Sequence, residues 1–416
     1  MGDTVEVATR HLATGDLISA LRDLEDLKNM ATALQVVAAV SFDQQQRAEQ
    51  AGRGVPADQL GRGIAEQIAL ARRESPARGG VFLGVATALV DAMPRTFDAM
   101  AAGVLTEHRA QILVHETSCV SPRVRAQVDQ VVASDLGRLS RLGTRRLADL
   151  VRGETYRRDP AAVVARIGHA ASERFVSLRA APDCMTRLTA LLPVAQGVAV
   201  LAALHKTAQA ARLDGDRRTR AQIMADELVV RVTGQTTPDA VPVALHLVMP
   251  ADTLLADGDQ PARVHGHGPI PAPLARRLVS AAPAVASWVR KLYATPKGGL
   301  VAMESGSRFF ADGLVDFITL RDQYCRTPYC DAQIRHIDHI IPHSAGGRTT
   351  VTNAQGLCER CNHAKQAPGW NQAVLLTQLP DQGDDIGWCA GVADEVREVL
   401  VTTPTGHHYA SPTPDP

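Results

Sequence analysis

The sequence predicts a mainly α-helical N-terminal domain with a small β element, followed by a short C-terminal module of different chemistry. Three observations predict this. Between Thr14 and Val40, Leu17, Leu21, Leu24, Leu27, Met30, Leu34 and Val37 recur at spacings of three and four, which is the period of an amphipathic helix. Phe175–Arg179 and Met185–Leu191 flank a Pro-Asp turn and read as a β-hairpin. After Thr295-Pro-Lys-Gly-Gly, cysteine, histidine and turn residues rise sharply.

The elements follow in order. Asp43–Pro56 reads as a break around Ala51-Gly-Arg-Gly. Helices are expected over Gln59–Arg73, Gly84–Met93, Phe97–Ala101, Thr106–Val114 and Pro122–Ser134. Beyond the hairpin, Ala195–Arg212 and Thr219–Val232 are expected to be helical, with Gly234–Pro238 a loop. Val243, Leu245, Leu247 and Met249 alternate with other residues, so Val241–Val248 reads as a strand. Pro273–Ala281 and Val285–Tyr293 look helical. Near the end, Val399–Thr402 and His408–Tyr409 flank Thr-Pro-Thr-Gly, a hairpin turn. Ala410–Pro416 is rich in Pro, Ser and Thr and reads as a flexible tail. The expected division is 14–300, 317–370 and 371–416.

Composition narrows the function classes. The formal net charge of zero argues against a protein that coats DNA non-specifically, but it leaves room for an enzyme with a local basic patch. No apolar run reaches the roughly 18 residues that span a bilayer. The N-terminus has no basic start before an apolar stretch, so no secretory signal is expected. Met1-Gly2 fails as a myristoylation start because position 6 is Glu6. The expected compartment is the cytoplasm, and the oligomeric state stays open. Of seven cysteines, Cys119, Cys184 and Cys389 are scattered, while Cys325, Cys330, Cys358 and Cys361 crowd together. An odd total without an export signal argues against disulfides, and the crowding argues for a metal.

The chemistry concentrates between Leu320 and Trp370. Cys325-x4-Cys330 and Cys358-x2-Cys361 form two close pairs separated by a few tens of residues, the spacing of a four-thiolate zinc site. Such a site is closed and tetrahedral, so its metal holds the fold and performs no chemistry. A polar stretch this short has little core, and a metal crosslink supplies what burial cannot. Between the pairs lies Asp338-His339. An aspartate binds a hard cation such as magnesium through oxygen, and a neutral imidazole takes a proton from water near neutral pH. On a regular strand these neighbours face opposite ways, so both reach one site only at a strand end or kink. Pro342 and Gly346-Gly347 place a turn nearby.

The order Cys-x4-Cys, Asp-His-Ile-x-Pro, Gly-Gly, Asn353, Cys-x2-Cys-Asn-x2-Lys resembles the zinc-braced HNH endonucleases. Arg321-Asp322, Cys325-Arg326-Thr-Pro and Ala367-Pro-Gly-Trp370 resemble a branch in which a long N-terminal domain of unknown function precedes the HNH module. The resemblance implies a ββα-metal fold holding one divalent cation, Mg2+ or Mn2+, against a phosphate of DNA. It implies that His339 is the general base, Asp338 a metal ligand, and Asn353 the residue that pins the loop bearing His339. The motif's third position falls on Asn362 as catalytic metal ligand, with His363 the fallback one residue later. Arg335, Arg348 and Lys365 are candidate phosphate contacts or solvated charges.

Other features carry less. Arg138–Arg158 holds seven arginines and reads as the exposed side of helices, with a DNA-tracking face as the alternative. His265-Gly-His267-Gly is half a metal site at most and reads as a glycine-rich loop. His336 lies two residues before Asp338 on the same expected face and stands either to assist phosphate binding or to support the site through a hydrogen bond. The expected function is therefore metal-dependent cleavage of DNA phosphodiester bonds. The rivals are a zinc-dependent nucleic-acid-binding module that does not cut and a protein-interaction domain that uses zinc only to fold.

Overall fold

Thr14 opens a helix that runs to Gly52 (α1) in the computed structural model, which describes residues 13–235, 237, 247–264, 267–281, 304–305, 310, 312–378 and 395–411. The break expected from Asp43 is delayed. Arg47 pairs with Asp43 one turn back at 2.8 Å, and Gln50 accepts from Gly61 N at 2.7 Å and donates to Arg62 O at 3.1 Å. These bonds carry polar residues through the last helical turns, and the chain reverses only at Gly54, whose φ is +78°. The helix forms, but its leucine stripe faces outward. Its buried residues are Asn29, Ala33, Val36, Ala39, Val40, Gln46 and Gln50.

Short helices follow: Ile64–Ala71 (α2), Pro76–Ala92 (α3), Pro94–Ala101 (α4), Glu107–Glu116 (α5), Pro122–Val132 (α6), Leu136–Arg141 (α7), Thr144–Arg158 (α8) and Pro160–Ala170 (α9). Their ends follow local chemistry. Proline opens α3, α4 and α6, where its missing N–H costs nothing. Thr106 and Ser121 cap α5 and α6 by accepting from Arg109 N and Val124 N. Ile64, Phe82, Leu89, Met93, Met100, Leu105, Leu113, Val128, Leu147 and Val151 form the core of this bundle. Asp129 of α6 lies within that core and caps α4 from outside, accepting from Arg95 N and Thr96 N at 2.9 Å each. Burial raises its carboxyl above the ordinary value of 3.8, partly offset by these bonds and the Thr96 hydroxyl. The arginine-rich run forms α7 and α8. Arg138, Arg141, Arg145 and Arg146 are exposed, whereas Arg152 pairs with Glu116 and Arg158 with Glu154.

The chain divides into two compact units. One holds the chain through Ile167 with Cys325–Gly347 and Leu357–Thr413, and the other holds Gly168–Tyr324 and Arg348–Gly356. In the second, Phe175–Ala181 (β1) and Met185–Leu191 (β2) form the expected antiparallel hairpin, registered from Phe175↔Leu191 to Ala181↔Met185. Val194–Leu213 (α10) and Arg220–Thr233 (α11) pack together, with a Thr219–Gln222 capping box and Gly234 in the left-handed region. Leu247–Val248 (β3) is followed by Ala251–Leu255 (α12), Ala262–Val264 (β4), Gly268–Ile270 (β5) and Ala272–Ala281 (α13). Strands β3, β4 and β5 form one antiparallel sheet. Glu304–Ser305 (β6) precedes Asp312–Asp322 (α14). The remainder of the expected 241–248 strand, the helix expected over 285–293, positions 236 and 238 of the expected loop, His265, and Cys389 lie outside the described residues.

The C-terminal portion contributes His336–His339 (β7), Thr349–Thr350 (β8), Ala354–Leu357 (β9), Glu359–Lys365 (α15), Asn371–Gln378 (β10), Glu395–Thr402 (β11) and His408–Ser411 (β12). Strand β8 pairs with β6 inside the second unit. Strands β10, β11 and β12 form an antiparallel sheet in which the expected Thr-Pro-Thr-Gly hairpin joins β11 to β12. Ala410 and Ser411, expected in a flexible tail, extend β12 because they pair with Leu400 and Val399.

Within the first unit the helical bundle and the C-terminal module are packed together. Helix α15 lies against α3, Arg360 pairs with Glu66 at 2.8 Å, and Thr405 donates to Gln67 Oε1 at 3.0 Å. Trp370 closes over the start of α2. A Cβ on Gly63, whose φ is +80°, would come within 2.3 Å of the Trp370 indole nitrogen. No described helix is long and apolar enough to cross a membrane.

Candidate active site and zinc centre

The two cysteine pairs meet, as their spacing predicts. Cys325, Cys330, Cys358 and Cys361 are all buried, and their sulfurs lie within 4.8 Å of one another. Backbone turns set them. Cys325 N donates to Ala332 O at 2.9 Å and Cys330 N to Thr327 O at 3.0 Å, with Tyr329 at φ +63° completing the first knuckle. Cys358 caps α15, its Sγ accepting from Cys361 N at 3.4 Å. Four thiols this close share protons. Cys325 is held down by hydrogen bonds from Cys330 and Cys361 against an opposing contact with Cys358, Cys358 is held down by all three neighbours, and Cys330 and Cys361 are pushed up by the sulfurs they face. A tetrahedron of about 2.3 Å bonds places its sulfurs roughly 3.8 Å apart. Cys330 Sγ and Cys358 Sγ are 3.8 Å apart, so the cluster fits a structural zinc site.

The Asp338–His339 pair meets the requirement set by its sequence. His339 is the last residue of β7, and the chain then turns through Pro342, with Gly347 N donating to Pro342 O at 3.1 Å and Gly346 at φ +88°. His339 is buried, and its ring lies edge-on to that of His343 at 5.8 Å between centroids. Asp338 is half-buried and His336 exposed.

Helix α15 packs against β7 and presents Lys365 to it. The Lys365 ammonium donates to Asp338 Oδ2 at 2.6 Å and to the backbone carbonyl of His339. Lys365 is turned inward, with only 8% of its side chain exposed. This departs from both readings of Lys365 in the sequence, a phosphate contact and a solvated charge. Burial lowers its pKa from the ordinary value, and the Asp338 carboxylate opposes that shift. Periodicity gives no sign of this role, since a lysine late in a short helix looks like a solvated charge. Asn362 lies one turn before Lys365 and so shares its face. Its Oδ1 is buried and has no hydrogen-bond partner among the described residues. His363, the alternative third position, is exposed.

Asn353 belongs to the second compact unit, where it closes its own loop. Its Nδ2 donates to Arg348 O at 2.9 Å, and its backbone N donates to Thr350 Oγ1 at 3.2 Å. Arg321 braces the same segment by donating to Val351 O and Ala354 O at 2.7 Å each, and Asp322 accepts from Gly356 N at 2.7 Å. Of the remaining candidate phosphate contacts, Arg335 and Arg348 are both exposed.

Comparison with known families places two matches along the chain. Residues 21–322 match a domain of unknown function (DUF222), and residues 323–368 match the HNH endonuclease model. No curated protein and no solved structure matches the chain.

Proposed function

Because the chain belongs to the family in which a DUF222 domain of unknown function precedes an HNH endonuclease module, we propose that it hydrolyses phosphodiester bonds in DNA with one catalytic divalent cation. The observation that carries this reading is the buried Asn362 Oδ1, without a partner among the described residues, on the helix α15 whose Lys365 reaches Asp338 and His339. A buried amide oxygen without a donor costs about 1–3 kcal/mol, which a cation at that oxygen relieves. Asp338 and Asn362 offer oxygen ligands suited to magnesium or manganese. When bound, such a cation polarises the phosphate and stabilises the leaving oxyanion.

The protein groups divide the rest of the task. His339, at the end of its strand, takes the proton from the attacking water. Lys365 holds the His339 carbonyl and so fixes the strand end that carries the base. Asn353 shapes the 348–353 loop. Arg335 contacts a phosphate flanking the cut. The zinc cysteines act as the frame.

A second reading, nucleic-acid binding without cleavage, draws on the contact between Asp338 and Lys365, which occupies a carboxylate that cleavage assigns to a cation. Nicking of supercoiled plasmid separates the two readings. Wild type is expected to nick with magnesium or manganese, and His339→Ala to lose about 10²–10⁴-fold in rate while keeping its zinc, fold and DNA affinity. Equal nicking by both proteins removes His339 from the mechanism. Binding without nicking by either, across cations and substrates, selects the binding-only reading.

A further inference from the structure

Helix α1 carries two apolar faces, and among the described residues only one is packed against the rest of the chain. In heptads, Leu17, Leu24, Ala31 and Ala38 occupy position a, and Ala20, Leu27 and Leu34 occupy position d. The residues that pack on α3 and α4, such as Asn29, Ala33, Val36 and Val40, fall at c and f, on the opposite side. Asn29 ties that side down by donating to Gly103 O at 2.8 Å. From Leu24 to Leu34 the a/d side meets solvent, with Leu24, Leu27 and Leu34 61%, 60% and 72% exposed, while Leu17 and Ala20 are half-buried. A leucine seam in 3-4 spacing over three heptads is the pattern that two supercoiled helices bury between them.

We propose that α1 pairs in parallel with α1 of a second copy of this chain. Area is the first argument. The exposed apolar side chains along the seam amount to on the order of 600 Å² per helix, so two helices bury about 1,200 Å², the lower edge of a stable specific interface.

Charge is the second argument, and it sets the direction. The residues flanking the seam at e are Leu21, Lys28 and Gln35, and those at g are Asp16, Asp23, Met30 and Val37. In a parallel pair each g residue faces the e residue five places later on the other helix, so Asp23 meets Lys28 of the second copy, twice per dimer. In an antiparallel pair e faces e and g faces g. The e set contains no acid and the g set no base, so that arrangement gains no ion pair and brings like charges together. Within one chain Lys28 bonds the exposed Glu25 at 2.5 Å and Asp23 lies 3.8 Å from Arg22. These are exposed pairs that exchange at little cost.

Sedimentation of the full-length, zinc-loaded protein tests this. Wild type is expected to sediment as a dimer at micromolar concentration, and Leu24→Glu/Leu27→Glu as a monomer with unchanged circular dichroism and zinc content. Asp23→Lys is expected to weaken dimerisation roughly five- to tenfold, and adding Lys28→Asp to restore it. A wild type that stays monomeric to roughly 100 µM overturns the proposal. So does a dimer indifferent to the leucine substitutions, which would place the interface elsewhere. Loss of fold in Leu24→Glu/Leu27→Glu also overturns it, because the seam would then be covered by the protein's own chain. Monomeric leucine variants with no response to Asp23→Lys overturn the parallel arrangement.

Discussion

Lys365 on α15 reaches β7, where its Nζ lies 2.6 Å from Asp338 Oδ2 and also donates to the His339 carbonyl. One cation thus ties a proposed metal ligand to the backbone of the proposed base. Removing it leaves Asp338 uncompensated. Asp338 keeps 28% of its side chain exposed and can rehydrate in part, so Lys365→Met is expected to cost about 2–3 kcal/mol, below the 3–5 of a fully buried pair. Urea denaturation of the two proteins measures this. Plasmid nicking is expected to fall as well, because the strand end bearing His339 loses its tether. Unchanged stability would mean that the contact is incidental.

Cys358 supplies both a sulfur to the four-cysteine cluster and the cap of α15. Cys358→Ser is expected to release zinc and melt the C-terminal module, since metal-binding free energy in such small modules is folding free energy. Elemental analysis should give about one zinc per chain for wild type. A well-folded wild type without zinc would refute the assignment.

Asn362 and His363 make opposite claims on the third motif position. Asn362 Oδ1 is buried without a partner among the described residues, whereas His363 faces solvent. Asn362→Ala is therefore expected to lower cleavage and raise the magnesium concentration needed, with His363→Ala close to wild type. The reverse result would shift the motif by one residue.

Asp129 accepts from Arg95 N, Thr96 N and the Thr96 hydroxyl at the start of α4. Asp129→Asn turns an amide N–H₂ toward one of these donors and is expected to cost about 1–2 kcal/mol. The pH dependence has a definite sign. Burial raises the folded-state pKa above 3.8, so the folded protein holds this proton more tightly than the unfolded chain does. Stability from this group therefore falls as pH rises from 3.8 through the raised value. The gap between wild type and Asp129→Asn should narrow over that window in thermal melts. A gap that widens would reverse the assigned shift.

Much of the molecule was legible in order along the chain. The hairpin at Phe175–Leu191, the helix over Val194–Leu213, the turn at Thr403–Gly406 and the spacing within each of the pairs Cys325–Cys330 and Cys358–Cys361 all rest on short-range signals. Alternation, turn residues and ligand spacing act within a few residues, so the sequence by itself determined these features and the Asp338–His339 pair at a strand end. Tertiary structure alone decided three others. It decided which apolar face of α1 is buried, because Ala33, Val36 and Ala39 permit closer approach to α3 and α4 than the leucines would. It turned Lys365 from solvent to Asp338, and it left Asn362 Oδ1 without a donor among the described residues. Each depends on what a distant segment brings to the same place. No periodicity within one segment encodes that complementarity, because packing and desolvation act between surfaces and not along the chain.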